Sequence, residues 1–345
     1  MDNNQEFEYH GYKYVLDGSN HEVYSDKKQP DDIYKYYYPN QNSIDALINQ
    51  YLYATHPYLF NDSIDSSELL LDYSNITLER YKSFYKQTLK PEEYIKHNFD
   101  EIFVEDKKNG FASIRTNFHQ YFSRQYGIIS LTTNPLNILM WSHYSSEKGF
   151  MIELDRNCVI SNLRKLNRDV KNYCFRPVQY VKELEAIDMF QPPFTTPDIP
   201  FLYATNVKRA EWEYEDEWRL SVYKTDMGIP FNVLLPGAKD YDGSEERKIY
   251  YDKSCIKAIV VGKQFFNGKN CSQQNADGSF EISDKDFLNL LTYIFDNHND
   301  KLFISGELQK GSKFGRSVNK IKLIRMSENT FNVVDLKEVY SNIDQ

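Results

Sequence analysis

The sequence predicts an α+β protein in which antiparallel or mixed sheets are interrupted by helical insertions. Strand-like segments recur along the whole chain, some alternating like GFMIELD at 149–155, some β-branched like KAIVVGK at 257–263. Between them lie stretches with apolar residues at helical spacing, above all at about 66–126 and in DKDFLNLLTYIFDNH at 284–298. No regular alternation of strand and helix appears, which argues against a parallel, doubly wound sheet.

Residues 1–30 are polar, lead into DKKQPDD and read as a loosely ordered N-terminal arm. IYKYYYPN then predicts a short Tyr-rich strand closed by Pro39-Asn40, and SIDALINQYLY a helix with Ser43 as N-cap. THPYLFNDSID reads as a loop with Asx-type turns. The helical insertion should hold two or three helices, with Pro91 opening one of them. YGIISLTTNP is a strand, LNILMWSHY a short helix, and GFMIELD and RPVQYVKEL further strands. FQPPFTTPDIP holds four of the 12 prolines and should be a loop. NVKRAEWEYEDEWRLSVYK starts as a helix and passes into a strand at about Trp218. The expected organisation is a core domain over 31–265, with a C-terminal helix and strand over 266–345 packed on it.

A net charge of −9 gives no general attraction for phosphate backbones, which argues against a dedicated nucleic-acid binder. The 28 Tyr and 22 Phe fit either a core of large, half-buried rings or surfaces that stack on bases and sugars. Cys158, Cys174, Cys255 and Cys271 lack zinc-type spacing and, with no leader at MDNNQEFEYH, are expected to be reduced thiols in a cytoplasmic protein. No apolar run reaches the length of a membrane span. Phosphate-binding glycine loops, nucleophile elbows and paired metal-binding histidines are all missing, so no metal is expected.

Two constellations carry chemistry. WSHYSSEKG places Trp141, Ser142, His143, Tyr144 and Lys148 just before a strand; a tight turn packed on the core, with His143 capping a carbonyl, is the alternative. EWEYEDEWRL holds five acids between Glu211 and Glu217, ordinarily a solvated helix end. Glu217, however, opens a strand, and a rigid element is what a catalytic carboxylate needs. Trp141, Ile152 and Leu154 are expected to be buried and structural. Lys148, Lys208 and Arg219 are candidates to hold an anionic ligand, with an internal ion pair from Arg219 to Glu215 or Glu217 as the competing arrangement.

The order IYKYYYP, LFNDS, ISLTTNPLNILMWSHYSSEKGFMIELD and KRAEWEYEDEWRL resembles the bacterial domain of unknown function 2971 over about residues 33–225. LTTN replaces that family's usual CFS, and Ser63 its usual Pro. The resemblance implies a bacterial or phage-associated protein, often linked with mobile elements and phage defence, but brings no activity with it.

By analogy with ADP-ribosyltransferases, an early strand supplies a His or Arg, a middle strand a Ser or Tyr, and a late strand start a Glu. Here these would be Tyr34-Lys35-Tyr36, Ser142-His143-Tyr144 and Glu215-Asp216-Glu217. The fold expected is a split pair of antiparallel sheets around a cleft ringed by Tyr36, Asn61, His143 and Glu217. In that analogy the catalytic residues are Glu217, Glu215, His143 and Tyr144. Tyr36, Lys35, Asn61, Ser142, Lys148 and Arg219 would bind NAD, consumed as the substrate. The acceptor could be protein, nucleic acid or water. Two other functions fit the same residues: a non-enzymatic sensor or interaction module binding a small nucleotide or peptide, and a Mg²⁺ nuclease using Asp62, Glu215 and Glu217.

Overall fold

The computed structural model describes residues 4–18, 20–112, 114–115, 124–191, 194, 196–228, 245–267, 273–310 and 312–341. It is mixed α+β, as the sequence predicts. The chain begins with β1 (Gln5–Tyr9), β2 (Tyr12–Asp17) and β3 (Asn20–Tyr24), a three-stranded antiparallel sheet. This corrects the expectation of a loosely ordered arm. Positive φ at His10 and Gly11 closes the first hairpin, and alternate residues Tyr14, Leu16 and Val23 are buried in an apolar cluster. The charged residues between them had masked that period of two.

β4 (Asp32–Tyr37) leads to helix α1 (Gln41–Ile48), capped by Asn40 rather than Ser43, because the Asn40 side chain accepts from the Ser43 N–H. Short strands β5 (Tyr51–Tyr53) and β6 (Leu71–Asp72) precede α2 (Leu78–Thr88), α3 (Pro91–Tyr94) and α4 (Phe99–Lys108), with Pro91 in the first turn of α3. β7 (Tyr126–Thr132), α5 (Ile138–Ser145) and β8 (Phe150–Asp155) follow, then α6 (Arg156–Leu166) and β9 (Asn172–Pro177). Next come β10 (Gln179–Val181), β11 (Ile187–Asp188), α7 (Asp198–Ala204), β12 (Val207–Arg209), a 3₁₀ turn at Ala210–Glu215 and β13 (Glu217–Tyr223). The C-terminal part holds β14 (Lys248–Tyr250), β15 (Ile256–Val261), β16 (Gln273–Gln274), β17 (Phe280–Glu281) and α8 (Lys285–His298). It ends in the long strands β18 (Leu302–Lys310), β19 (Lys313–Arg325) and β20 (Thr330–Ser341), where the sequence predicts one.

Eleven strands share one sheet in the order β16-β17-β20-β19-β18-β15-β8-β4-β7-β13-β9. Its middle is nearly severed. β4 pairs with β8 from Asp32 to Tyr37, but with β7 at Tyr34↔Thr132 alone. Beyond that pair the two strands part, and a cleft opens between them. The largest apolar cluster holds Ile152 and Leu154 and packs under α8 through Phe287, Leu291 and Ile294. A smaller one holds Tyr36, Met140, Trp141, Met151 and Val260 beside the opening.

Cys158 and Cys255 form a disulfide across 97 residues, with Cα atoms 5.3 Å apart, and Cys174 is buried and free. The expectation that these four thiols are reduced is corrected for that pair, while Cys271 lies outside the described residues. The end of β8 and the start of β15 bring the two together, which spacing along the chain did not reveal. Among the described residues, no helix is long and apolar enough to cross a membrane.

Candidate functional site

The cleft at the split is about 430 Å³. Tyr34, Thr132 and Glu217 form one cross-strand row over β4, β7 and β13. Lys35 alternates to the other face of β4 from Tyr34 and Tyr36, yet it still lines the cleft because the sheet is open there. Its Nζ donates to the Ser130 carbonyl at 2.9 Å and so spans the gap between β4 and β7. Burial lowers the Lys35 amine to about 8, with the nearby Glu217 charge opposing that shift.

α5 forms because Asn137 caps it, its side chain accepting from the Leu139 and Met140 N–H groups, and it stops where Ser146 and Glu147 take positive φ. Gly149 then passes against β4: a Cβ there would stand 1.9 Å from the Tyr37 carbonyl oxygen. The helix turns Met140 and Trp141 inward. Trp141 is wholly buried, donates from its indole to the Pro135 carbonyl and lies edge-on to Tyr36. The guanidinium of Arg316, held by both carboxylate oxygens of Glu147, sits 5.1 Å over its ring. Tyr144 and His143 reach the cleft from the same helix. Tyr144 donates to Glu215 and accepts from Asn61, and His143 Nδ1 lies 3.2 Å from the Tyr214 hydroxyl. His143 does not cap a carbonyl.

The 3₁₀ turn before β13 sets the two acids. Asp216 adopts φ +40 and turns outward to Lys27 and Thr133, so that Glu215 and Glu217 converge on Lys208. Lys208 Nζ donates to Glu215 at 2.6 Å and to Glu217 at 3.2 Å. Arg219 donates to both oxygens of Glu217, to Asp65 at 2.6 Å and to the Thr205 carbonyl at 2.7 Å. Burial works against ionising Glu217, but the Arg219 and Lys208 charges overcome it and hold its carboxyl near 2. Burial raises Glu215, and the Glu217 charge adds to the rise while Lys208 opposes it. The pair therefore separates into a permanent anion and a more readily protonated acid.

Of the residues expected at the site, Tyr36, Lys35, Asn61, His143, Tyr144, Glu215 and Glu217 line this one cleft. The other three do not. Ser142 and Lys148 are exposed and outside the lining. Arg219 is fully buried behind Glu217 and committed to two carboxylates, which corrects its assignment as a ligand-binding cation. Lys208 lines the cleft but is shared among the acids. Asp62 instead accepts from the Ile64 N–H in a local turn.

Sequence reasoning missed Asp65, Thr132 and Phe60, all in the lining. Thr132 donates to the Glu215 carbonyl at 2.5 Å, and Phe60 lies under the Arg219 guanidinium. Their one available signal was position: each falls inside or beside a motif already singled out, FNDSID or LTTN.

No curated protein and no solved structure matches this chain. Residues 140–220, from the buried end of α5 through the Glu215–Glu217 turn into β13, match the family described as Protein of unknown function (DUF2971).

Proposed function

We propose that the cleft is the active site of an NAD-consuming, ADP-ribosyltransferase-like enzyme. The observation that carries this reading is the row Tyr34–Thr132–Glu217 at the mouth of a split sheet. An early strand, a middle strand and the first residue of a late strand stand side by side there, in the arrangement the analogy calls for. The polar residue of the middle strand is then Thr132 or Ser130 rather than Ser142-His143-Tyr144, which belong to a helix.

In the reaction, the bond between the ribose carbon and the nicotinamide nitrogen breaks. Nicotinamide leaves with the electron pair, and positive charge grows on the ribose. That charge comes from the pyridinium ring, which leaves neutral, and a carboxylate held ionised by Arg219 beside the ribose favours the transition state because the charge has moved toward it. Glu215, the acid more easily protonated, is placed to take a proton from the incoming acceptor or water. Tyr34, Tyr36 and Tyr144 supply ring faces for the nicotinamide. Since NAD is an intracellular metabolite, a cytoplasmic location belongs to the same proposal, as does a toxin or phage-defence role.

The test is incubation of the purified chain with NAD and detection of free nicotinamide by mass. Glu217→Gln keeps the shape and removes the charge. It should fold and lose about 10²–10³ in rate. A specific observation favours a second reading, a ligand sensor: every oxygen of Glu217 is already bonded within the protein. Wild-type protein that neither binds NAD nor releases nicotinamide, with its trigger present, would overturn the enzyme reading and favour the sensor.

A further inference from the structure

A second hollow of about 380 Å³ lies on the same sheet, with Tyr34 standing in the walls of both cavities. Two cross-strand rows make its floor. Tyr34, Glu153 and Ala258 form one, and Met151, Val260 and Phe303 the other. The small side chain of Ala258 leaves the space, and Leu136, from the turn before α5, stands in its wall. The rows are two residues apart along each strand, ~7 Å, about the length of a four-atom stem.

One row is polar and the other is not. Asp32 and Glu153 share a single ammonium, that of Lys257, which lies 2.6 Å from Asp32 and 3.7 Å from Glu153. Glu153 is therefore the less compensated of the two, at the end of a wall of Met, Val and Phe. Burial and the Asp32 charge both raise its carboxyl, with Lys257 pulling the other way, so a second cation there would be welcome. An anion would meet two carboxylates, and a neutral apolar ligand would strip Glu153 of water while leaving it only its distant share of Lys257. An inorganic cation would make no use of the apolar row.

We infer that this groove binds a small organic cation, a guanidinium or ammonium on a short alkyl stem, with the stem along Met151, Val260 and Phe303 and the head between Glu153 and the Tyr34 ring. The inference goes beyond the NAD reading and does not rest on it.

The test uses the full chain without NAD, labelled at methionine methyl groups, and titrates n-butylguanidinium, n-butylammonium and the neutral n-butylurea. The Met151 signal should move with the cations, while that of Met140, in the wall of the first cleft, should not. Butylurea should bind at least about tenfold more weakly, since a tenfold ratio is only 1.4 kcal/mol and a charge-assisted bond supplies that. Glu153→Gln should lose the same factor, and Ala258→Phe should abolish binding. If Ala258→Phe fails to fold, Glu153→Gln alone decides. The two cations distinguish a guanidinium from an ammonium as the preferred head group. Equal binding of the urea, unchanged cation affinity in Glu153→Gln, or no Met151 response at millimolar cation would each overturn the proposal, whatever the outcome with NAD.

Discussion

On the β7–β13 side of the opening, Asp65, Lys208, Glu215 and Glu217 line the cleft with Arg219 behind them, none more than 6% exposed. On the β8–β15 side, the adjoining sheet face holds Tyr36, Trp141, Met151 and Val260, equally buried and apolar except for the tyrosine hydroxyl and the indole N–H. The apolar side is stabilised by burial itself. The polar side takes five charged groups out of water at several kcal/mol each, and their mutual attraction offsets this only because the geometry satisfies nearly every oxygen. A protein that needed only stability at that place had a cheaper solution on the neighbouring strands. The difference is one of cost: burial alone stabilises the apolar side, whereas the β13 side holds together only while its charges stay matched.

Four measurements break or sharpen that contrast, taken from the largest expected effect downward. On the apolar side, Trp141→Ala should cost about 3–5 kcal/mol in urea unfolding. It also strips Arg316 of the ring it covers. A soluble, cooperatively melting variant near wild-type stability would remove Trp141 from its structural role. On the polar side, Arg219→Leu should cost a similar ~3–5 kcal/mol, because Glu217 and Asp65 are left buried without their cation. Replacing Asp65, Lys208, Glu215, Glu217 and Arg219 together by apolar residues of like size should recover most of that loss while leaving no NAD turnover. If the fivefold variant is as unstable as Arg219→Leu, the network is structural after all.

The third measurement is stability against pH. Glu217 is held near 2 in the folded protein against an ordinary 4.5, so its contribution is complete above about 4.5 and is lost as pH falls toward 2. The loss should be on the order of 3 kcal/mol and missing from Glu217→Gln. An unchanged acid limb in that variant assigns it to other carboxylates. The smallest effect is expected for Thr132→Val, which deletes the hydroxyl bonded to the Glu215 carbonyl and costs about 1 kcal/mol. Nicotinamide release should fall by more than that stability change explains if Thr132 belongs to the site, and by nothing if it only ties β7 to the turn.

Much of the site was legible because it lies in motifs whose local chemistry is strong. WSHY sits on a short capped helix, YKY on a strand, and EDEWR on a turn running into a strand, each near its expected place. What could not be read was which charged side chain faces which. Arg219 and Lys148 are both cations near a motif, yet one is fully buried and the other exposed. That choice depends on Asp65, which comes from a loop 154 residues earlier and reaches Arg219 only in the folded chain.

By itself the sequence determined the α+β class, the strands GFMIELD and KAIVVGK and the helix at Lys285–His298, since side-chain periodicity is a local property that burial on one face enforces. It also determined that Trp141, Ile152 and Leu154 are interior. The tertiary structure alone decided the rest: the single Tyr34↔Thr132 pair that opens the sheet, the Cys158–Cys255 bond and the shared wall of the two cavities. Each of these joins residues far apart in the chain. Their meeting is fixed by strand order and register, to which no local pattern of residues points.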